Sequence, residues 1–149
     1  MDHRFDPLKL ENQLCFPLYA CSREIIKQYK PFLDELGLTY TQYIAMMVLW
    51  EHRAMTVKGL GEKLLLDSGT LTPLLKKLEA KGLVTRERSA KDERSLVVTI
   101  TEEGMALRAR ALTVPGEIAR CTPLTAEDAA ALYRILYKML GALEENGRK

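Results

Sequence analysis

A mainly α-helical fold carrying a small β-hairpin wing is what three features of this 149-residue sequence predict. Apolar residues recur at helical spacing on both sides of a central segment. That spacing gives way, between residues 83 and 101, to two runs rich in β-branched residues. Cap and turn residues stand at nearly every boundary between the segments.

Taken in order, the first helical pattern runs from Leu8 to Leu36, with Leu14, Leu18, Cys21, Ile25, Ile26, Phe32, Leu33 and Leu36 as its apolar positions, and Gly37 stops it. Thr39 or Thr41 caps a second helix reaching His52, whose apolar residues crowd several faces and call for burial. Thr56 caps a short third helix to about Leu65. Gly59 and Gly61 inside it each cost about 1 kcal/mol against Ala, which close helix packing would explain. Asp67-Ser68-Gly69-Thr70 is a turn-and-cap cluster opening a fourth helix to about Lys81, and Gly82 ends that helix. Residues 83–88 and 96–101 read as strands joined by the polar tip 89–95. Helical spacing then returns to about Val114, Pro115-Gly116 bends or breaks it, and a last helix begins near Thr125 with Glu127 and Asp128 in its first turn. Three helices followed by a two-stranded hairpin make a winged helix-turn-helix.

Composition excludes several classes. With 47% apolar and 28% charged residues the chain suits one domain with a real core. No apolar run is long enough to span a membrane, and the start of the chain lacks the apolar stretch of a secretory leader, so a cytoplasmic protein is expected. Three cysteines at wide spacing do not form a disulfide framework, and two histidines, His3 and His52, do not suggest a metal site. No cofactor is implied. Net charge is only +2, yet residues 53–95 hold ten Lys/Arg against six Asp/Glu, a local +4 that leaves the flanks at −2. A locally basic middle is an electrostatic footprint for nucleic acid.

The fourth helix is where that charge becomes specific. On a helical wheel Leu71, Leu74, Leu75 and Leu78 form one stripe. The opposite face presents Gly69, Thr72, Pro73, Lys76 and Ala80, with Thr70 and Lys77 at its margins. Ser68, Thr70 and Thr72 are short enough to let such a helix approach base edges, while Lys76 and Lys77 reach backbone phosphates. Pro73 is tolerable near the helix start because its missing N–H has no partner there. An ordinary amphipathic surface helix would look similar. The hairpin decides between them: Arg86 and Arg88 alternate on one strand face, and Arg94 near the tip suits a narrow minor groove. Asp92 is placed to hydrogen-bond within the tip and orient Arg94.

The run from Asp67 to Glu79, followed by Gly82-Leu83-Val84-Thr85-Arg86 and Asp92-Glu93-Arg94-Ser95, resembles the MarR family of winged-helix regulators. Leu10-Glu11-Asn12-Gln13-Leu14-Cys15-Phe16, Tyr29-Lys30-Pro31, Leu38-Thr39-Tyr40-Thr41-Gln42-Tyr43 and Leu49-Trp50-Glu51 are similar to its organic hydroperoxide sensor branch, OhrR. The likeness spans nearly the whole chain. It implies one domain over 1–149, with the winged helix-turn-helix at about 41–101 and dimerisation helices at about 8–37 and 102–146. It further implies a homodimeric repressor on double-stranded DNA with a palindromic operator, organic hydroperoxides as inducers, and no enzymatic activity. A cysteine matching Cys15 is the oxidised group, hydrogen-bonded by tyrosines matching Tyr29 and Tyr40 of the partner subunit. In a two-cysteine subgroup a second thiol of the partner traps the oxidised form as a disulfide, and Cys121 lies in the corresponding region.

The residues themselves add constraints. Peroxide attack needs a thiolate, and tyrosine hydroxyls are the donors on offer around Cys15. Tyr19 follows it by four residues on the same helix face. Tyr29 is fourteen residues on, about 21 Å along a straight helix, so a Cys15–Tyr29 contact requires two chains. Cys21 is turned about 120° from Cys15 on the wheel and is expected to be a small buried residue. Cys121 is left as either a resolving thiol or a bystander. Pro17, where the family suggests Ala, removes one helical hydrogen bond and crowds the carbonyl of Gln13, so the first helix kinks or begins there. Three other readings remain: a MarR-type regulator induced by a small aromatic ligand, with Cys15 idle, a thiol peroxidase using the same cysteine, and a winged helix that binds a partner protein.

Overall fold

The structure is a computed structural model and describes residues 5–147, so His3 lies outside the described residues. These divide between Ile118 and Ala119 into two compact units.

The first unit opens with a short 3-10 turn, Leu10–Asn12. Side chains pin it: Asn12 Nδ2 donates to the Asp6 carbonyl (2.8 Å), and Gln13 Nε2 donates to those of Pro7 (2.6 Å) and Lys9 (2.9 Å). The long helix α1 then runs Cys15–Leu36, starting later than the apolar pattern suggests. Pro17 explains the shift. As the third residue of α1 it has no N–H to give, which costs nothing in a first turn and would break a helix begun at Leu8. Gly37, at φ 68°, closes the helix in the left-handed conformation.

Thr39, rather than Thr41, caps α2 (Tyr40–His52) through a capping box with Gln42. As expected, α2 is buried, with Ala45, Met46 and Leu49 fully enclosed. A three-residue strand, β1 (Ala54–Thr56), follows it. It is too short to show alternation in a sequence and exists because β3 offers it partners. α3 (Val57–Leu64) and α4 (Ser68–Ala80) carry caps from Thr56 and Asp67. At Gly61 a Cβ would lie 2.8 Å from the Leu66 carbonyl, and at Gly59 3.0 Å from Thr56 Oγ1, so what crowds these glycines is the chain flanking α3 and not the packed helix expected there. β2 (Val84–Arg88) and β3 (Leu96–Ile100) form the wing. The antiparallel order is β1-β3-β2, registered by Ala54 opposite Thr99 and Val84 opposite Ile100.

α5 (Glu102–Ala111) is followed by α6 (Val114–Cys121). The interruption falls at 112–113, ahead of Pro115 instead of at it. Pro115 is the second residue of α6, a position where its ring suits helical φ and no N–H is needed. Trp50 Nε1 donates to the Gly104 carbonyl at 2.8 Å and ties α2 to α5. In the second unit α7 (Ala126–Gly147) starts beside Thr125, as expected, with the Thr125 hydroxyl accepting from the Asp128 N–H, and buries none of its residues. Among the described residues no helix is long and apolar enough to cross a membrane.

Two glycines should respond oppositely to alanine. A Cβ at Gly104 would collide with the Leu83 carbonyl and sit 2.7 Å from Ile100 Cγ1, whereas one at Gly116 meets nothing within 4 Å. Gly104→Ala should destabilise by about 1–3 kcal/mol or more, as overpacking does. Gly116→Ala should stabilise by about 1 kcal/mol. Urea denaturation of both variants checks the pair.

Candidate nucleic-acid interface and reactive thiols

The leucine stripe of α4 is wholly inside: Leu71, Leu74, Leu75 and Leu78 are all buried. Ser68, Thr70, Pro73, Lys76 and Lys77 are exposed on the other side, and Thr72 is half-buried. The amino end of α4 is sharply defined because the Asp67 carboxylate accepts from the Thr70 N–H at 2.7 Å. Hydrogen bonds from Thr70, then Gly69, hold that carboxyl below its usual range.

The wing tip is built around Asp92. Its Oδ1 accepts from the Arg94 N–H (3.0 Å) and its Oδ2 from the Ser95 hydroxyl (3.2 Å), so Asp92 orients the Arg94 backbone as its sequence position suggests. Arg88 braces the tip from the strand, donating from Nη1 to the Glu93 carbonyl at 2.7 Å. A groove of ≈ 860 Å³ brings the two elements together, with Ser68 and Asp67 on one wall and Arg94 and Ser95 on the other. Lys58 of α3 also lines it. Sequence reasoning counted Lys58 only in the basic stretch, since nothing local marks α3 as a groove wall.

Arg86 departs from its expected role. Its side chain is only 17% exposed and pairs with Glu79 of α4: Nη2 donates to Oε1 at 3.2 Å, and the Arg86 N–H to Oε2 at 3.1 Å. It fastens the root of the wing to α4 instead of projecting beside Arg88. The reason is packing, because the strand's inner face meets α4 at Arg86 and meets solvent at Arg88.

The tyrosines divide. Tyr29 and Tyr40 come together, with ring centroids 5.0 Å apart. A third ring joins them: Tyr43 lies 5.8 Å from Tyr29 and 6.4 Å from Tyr40. Tyr43 was missed as a site residue, although its place three residues after Tyr40 puts both on one helix face. Burial raises the pKa of all three phenols. Tyr40 and Tyr43 raise that of Tyr29 further, and Tyr40 that of Tyr43. Each therefore keeps its proton and remains a donor. Tyr19 is elsewhere: its hydroxyl accepts from Arg23 Nη1 at 3.2 Å, with that guanidinium 5.5 Å above its ring.

Cys15 is the first residue of α1, exposed at a helix amino terminus whose dipole favours an anion. α1 continues unbroken to Tyr29, so the same-chain separation stays at about 21 Å along the axis. Cys121 ends α6 and is also exposed. Cys21 is exposed too, against the expectation of burial. Among the described residues of α1 only Leu33 and Leu36 are buried, both in its last turn.

Residues 27–110 match the family described as transcriptional regulator SarA/Rot. Over 145 residues, covering 97% of this chain and 99% of the relative, the sequence is 52% identical to the organic hydroperoxide resistance transcriptional regulator of Bacillus subtilis strain 168. Among solved structures, AbfR of Staphylococcus epidermidis is similar with TM-score 0.72 and 38% identity, covering 91% of this chain and 94% of that one. Reduced AbfR bound to DNA gives TM-score 0.77 and 35% identity over 91% and 93% of the two chains. Disulfide-formed AbfR gives 0.65 and 37% over 90% and 91%.

The tyrosine cluster makes a pH prediction. Folded-state pKa values above the ordinary 10.0 mean that the unfolded chain loses its phenolic protons first. The associated stability is whole below 10.0 and is lost as pH rises through the folded-state values. Spectrophotometric titration should show three phenols ionising late. The fall in melting temperature above 10.0 should be shallower in a Tyr29→Phe, Tyr40→Phe, Tyr43→Phe variant.

Proposed function

The chain belongs to the MarR-type winged-helix transcriptional regulators of the SarA/Rot family, in their organic hydroperoxide resistance branch, and from that premise we propose how it binds DNA and lets go. It is a redox-sensing repressor and not an enzyme. One observation carries the DNA half of this reading: α4 buries its leucines completely while its short polar and basic face stays exposed beside the Asp92-organised wing tip. α4 enters the major groove, with Ser68, Thr70, Thr72 and Pro73 against bases and sugars and Lys76 and Lys77 on phosphates. Arg94 and Arg88 reach the adjacent minor groove. Arg86 acts on DNA only through its hold on Glu79.

A palindromic operator requires two reading heads about 34 Å apart, hence a homodimer. Exposed apolar residues support one: Phe16, Leu18, Ile25 and Ile26 on α1, and Leu132, Ile135 and Leu143 on α7. Patches of this kind on a regulator mark an interface. In this arrangement 41–101 reads DNA, while about 8–37 and 102–146 join the subunits. The protein works in the cytoplasm, where the thiols are kept reduced.

Cys15 is the sensor. Its thiolate attacks one oxygen of an organic hydroperoxide, ROOH. The O–O bond breaks, the sulfur becomes a sulfenic acid, and the departing alkoxide takes a proton to leave as ROH. Protonated Tyr29 and Tyr40 of the partner subunit, with Tyr43 behind them, donate to the thiolate, and Tyr19 lies on the Cys15 face of α1. Cys121 of the partner then attacks the Cys15 sulfur as a thiolate. An S–S bond forms, and hydroxide departs with a proton as water. Drawing the terminal helices together in this way changes the spacing of the two α4 helices and releases DNA.

Cys15→Ser should bind duplex DNA normally and fail to release it with cumene hydroperoxide. Oxidised wild type should run as a disulfide-linked dimer on a non-reducing gel, and Cys121→Ser should not. A persisting linked dimer in Cys121→Ser would remove Cys121 from the mechanism. Replacing Lys76 or Lys77 by Met should lower the slope of log affinity against log salt by about 1 each, measured by fluorescence anisotropy.

A further inference from the structure

The carboxyl end of α1 has an electrostatic problem that its own sequence does not solve. Its last turn holds no Lys, Arg or His, although that end of a helix carries partial negative charge and favours cations. Asp34 is paired one turn back with Lys30 at 2.9 Å. Backbone closure at Gly37 satisfies the Asp34 and Leu33 carbonyls, which accept from the Gly37 N–H (3.1 Å) and the Leu38 N–H (3.0 Å). Two further carbonyls are met by cations from distant elements. Arg110 of α5 donates from Nη2 to the Glu35 carbonyl at 2.5 Å. Lys81, the residue directly after α4, donates from Nζ to the Gly37 carbonyl.

Lys81 does more than cap. The same ammonium donates to Gln42 Oε1 at 2.9 Å. Gln42, 3% exposed, is the buried polar side chain of the core, and its Oε1 also accepts from the Thr39 N–H at 3.1 Å. One ammonium thus grips the end of α1 and the start of α2 across the Gly37–Thr39 elbow. Its own backbone N–H is bonded to the Lys77 carbonyl at 3.1 Å, in the last turn of α4. Cys15 stands at the far end of α1, about 33 Å away for a 22-residue helix.

Building on the redox-repressor reading above, we infer that Lys81 is the positioning residue that couples α1 to α4, so that displacement of the sensor helix moves the DNA-reading helix through this ammonium. Lys81 faces the Gly37 carbonyl and Gln42 rather than the DNA face. Its loss therefore acts on the response to oxidant and not on DNA contact itself. Arg110 caps the same helix end from α5 and has no bond to α4, so it separates coupling from capping.

The experiment uses the full chain and a duplex selected from random sequence by the reduced wild type. Anisotropy titrations with and without cumene hydroperoxide give the factor by which oxidation weakens binding. Lys81→Met should bind the duplex near wild-type affinity when reduced, and its release factor should fall at least about fivefold, the lower end of typical coupling between sites. Lys81→Arg should restore the factor and Arg110→Met should keep it. Where Lys81→Met does not fold, Lys81→Ala removes the same ammonium from both the Gly37 carbonyl and Gln42 and is read in its place. An unchanged factor in the folded link variant, or an equal loss in Arg110→Met, overturns the inference. A wild type that does not respond to the oxidant at all overturns the redox reading, and the inference falls with it.

Discussion

Burial of the α4 leucine stripe is the constraint on which the rest of the molecule depends. Each of Leu71, Leu74, Leu75 and Leu78 gains about 1.5–3 kcal/mol on leaving water, and all four are buried in one core with Met46, Leu49 and Leu60. That core fixes the rotation of α4 about its own axis. Rotation determines which side chains face outward, and so Ser68, Thr70, Lys76 and Lys77 are presented as a set. A helix free to roll by one residue, 100°, would present leucines to solvent instead.

The wing and the elbow are both referenced to this helix by charge. Glu79 of α4 holds Arg86 at the root of β2, and Lys81 at its end holds the turn between α1 and α2. A helix tied at two such points is referenced both to the wing and to the end of α1. Both anchors are hydrogen-bonded and directional, while the leucine core beneath them is not. The core fixes how α4 is rotated, and the two polar contacts tie its carboxyl-terminal end to the wing and to the elbow.

The amino-terminal two-thirds of α1 and the whole of α7 are the converse case. Most of their large apolar residues stand exposed. The exposed Cys21 belongs to this pattern. Its helix position reads as a buried one, yet its thiol is exposed. A second copy is the occupant the family reading calls for, and the same pairing would supply the tyrosine donors that one straight helix keeps about 21 Å from Cys15.

Local signals carried much of this protein in its sequence. The caps at Thr56 and Asp67, the stops at Gly37 and Gly82, the leucine stripe and the β-branched wing strands all depend on neighbours within a few residues, and so they could be read directly, while the α2 cap stayed open between Thr39 and Thr41 until the capping box with Gln42 decided it. The start of α1 is half-visible, because Pro17 offers a kink or a beginning, and the helix begins at Cys15, two residues ahead of it, after a turn pinned by Asn12 and Gln13. Strand β1, the Arg86–Glu79 pair, the joining of Tyr43 to Tyr29 and Tyr40, and the reach of Lys81 to Gly37 and Gln42 were decided only by the tertiary structure. Each joins groups whose meeting depends on how separate elements pack, and periodicity within one segment carries no information about which other segment will come to lie against it.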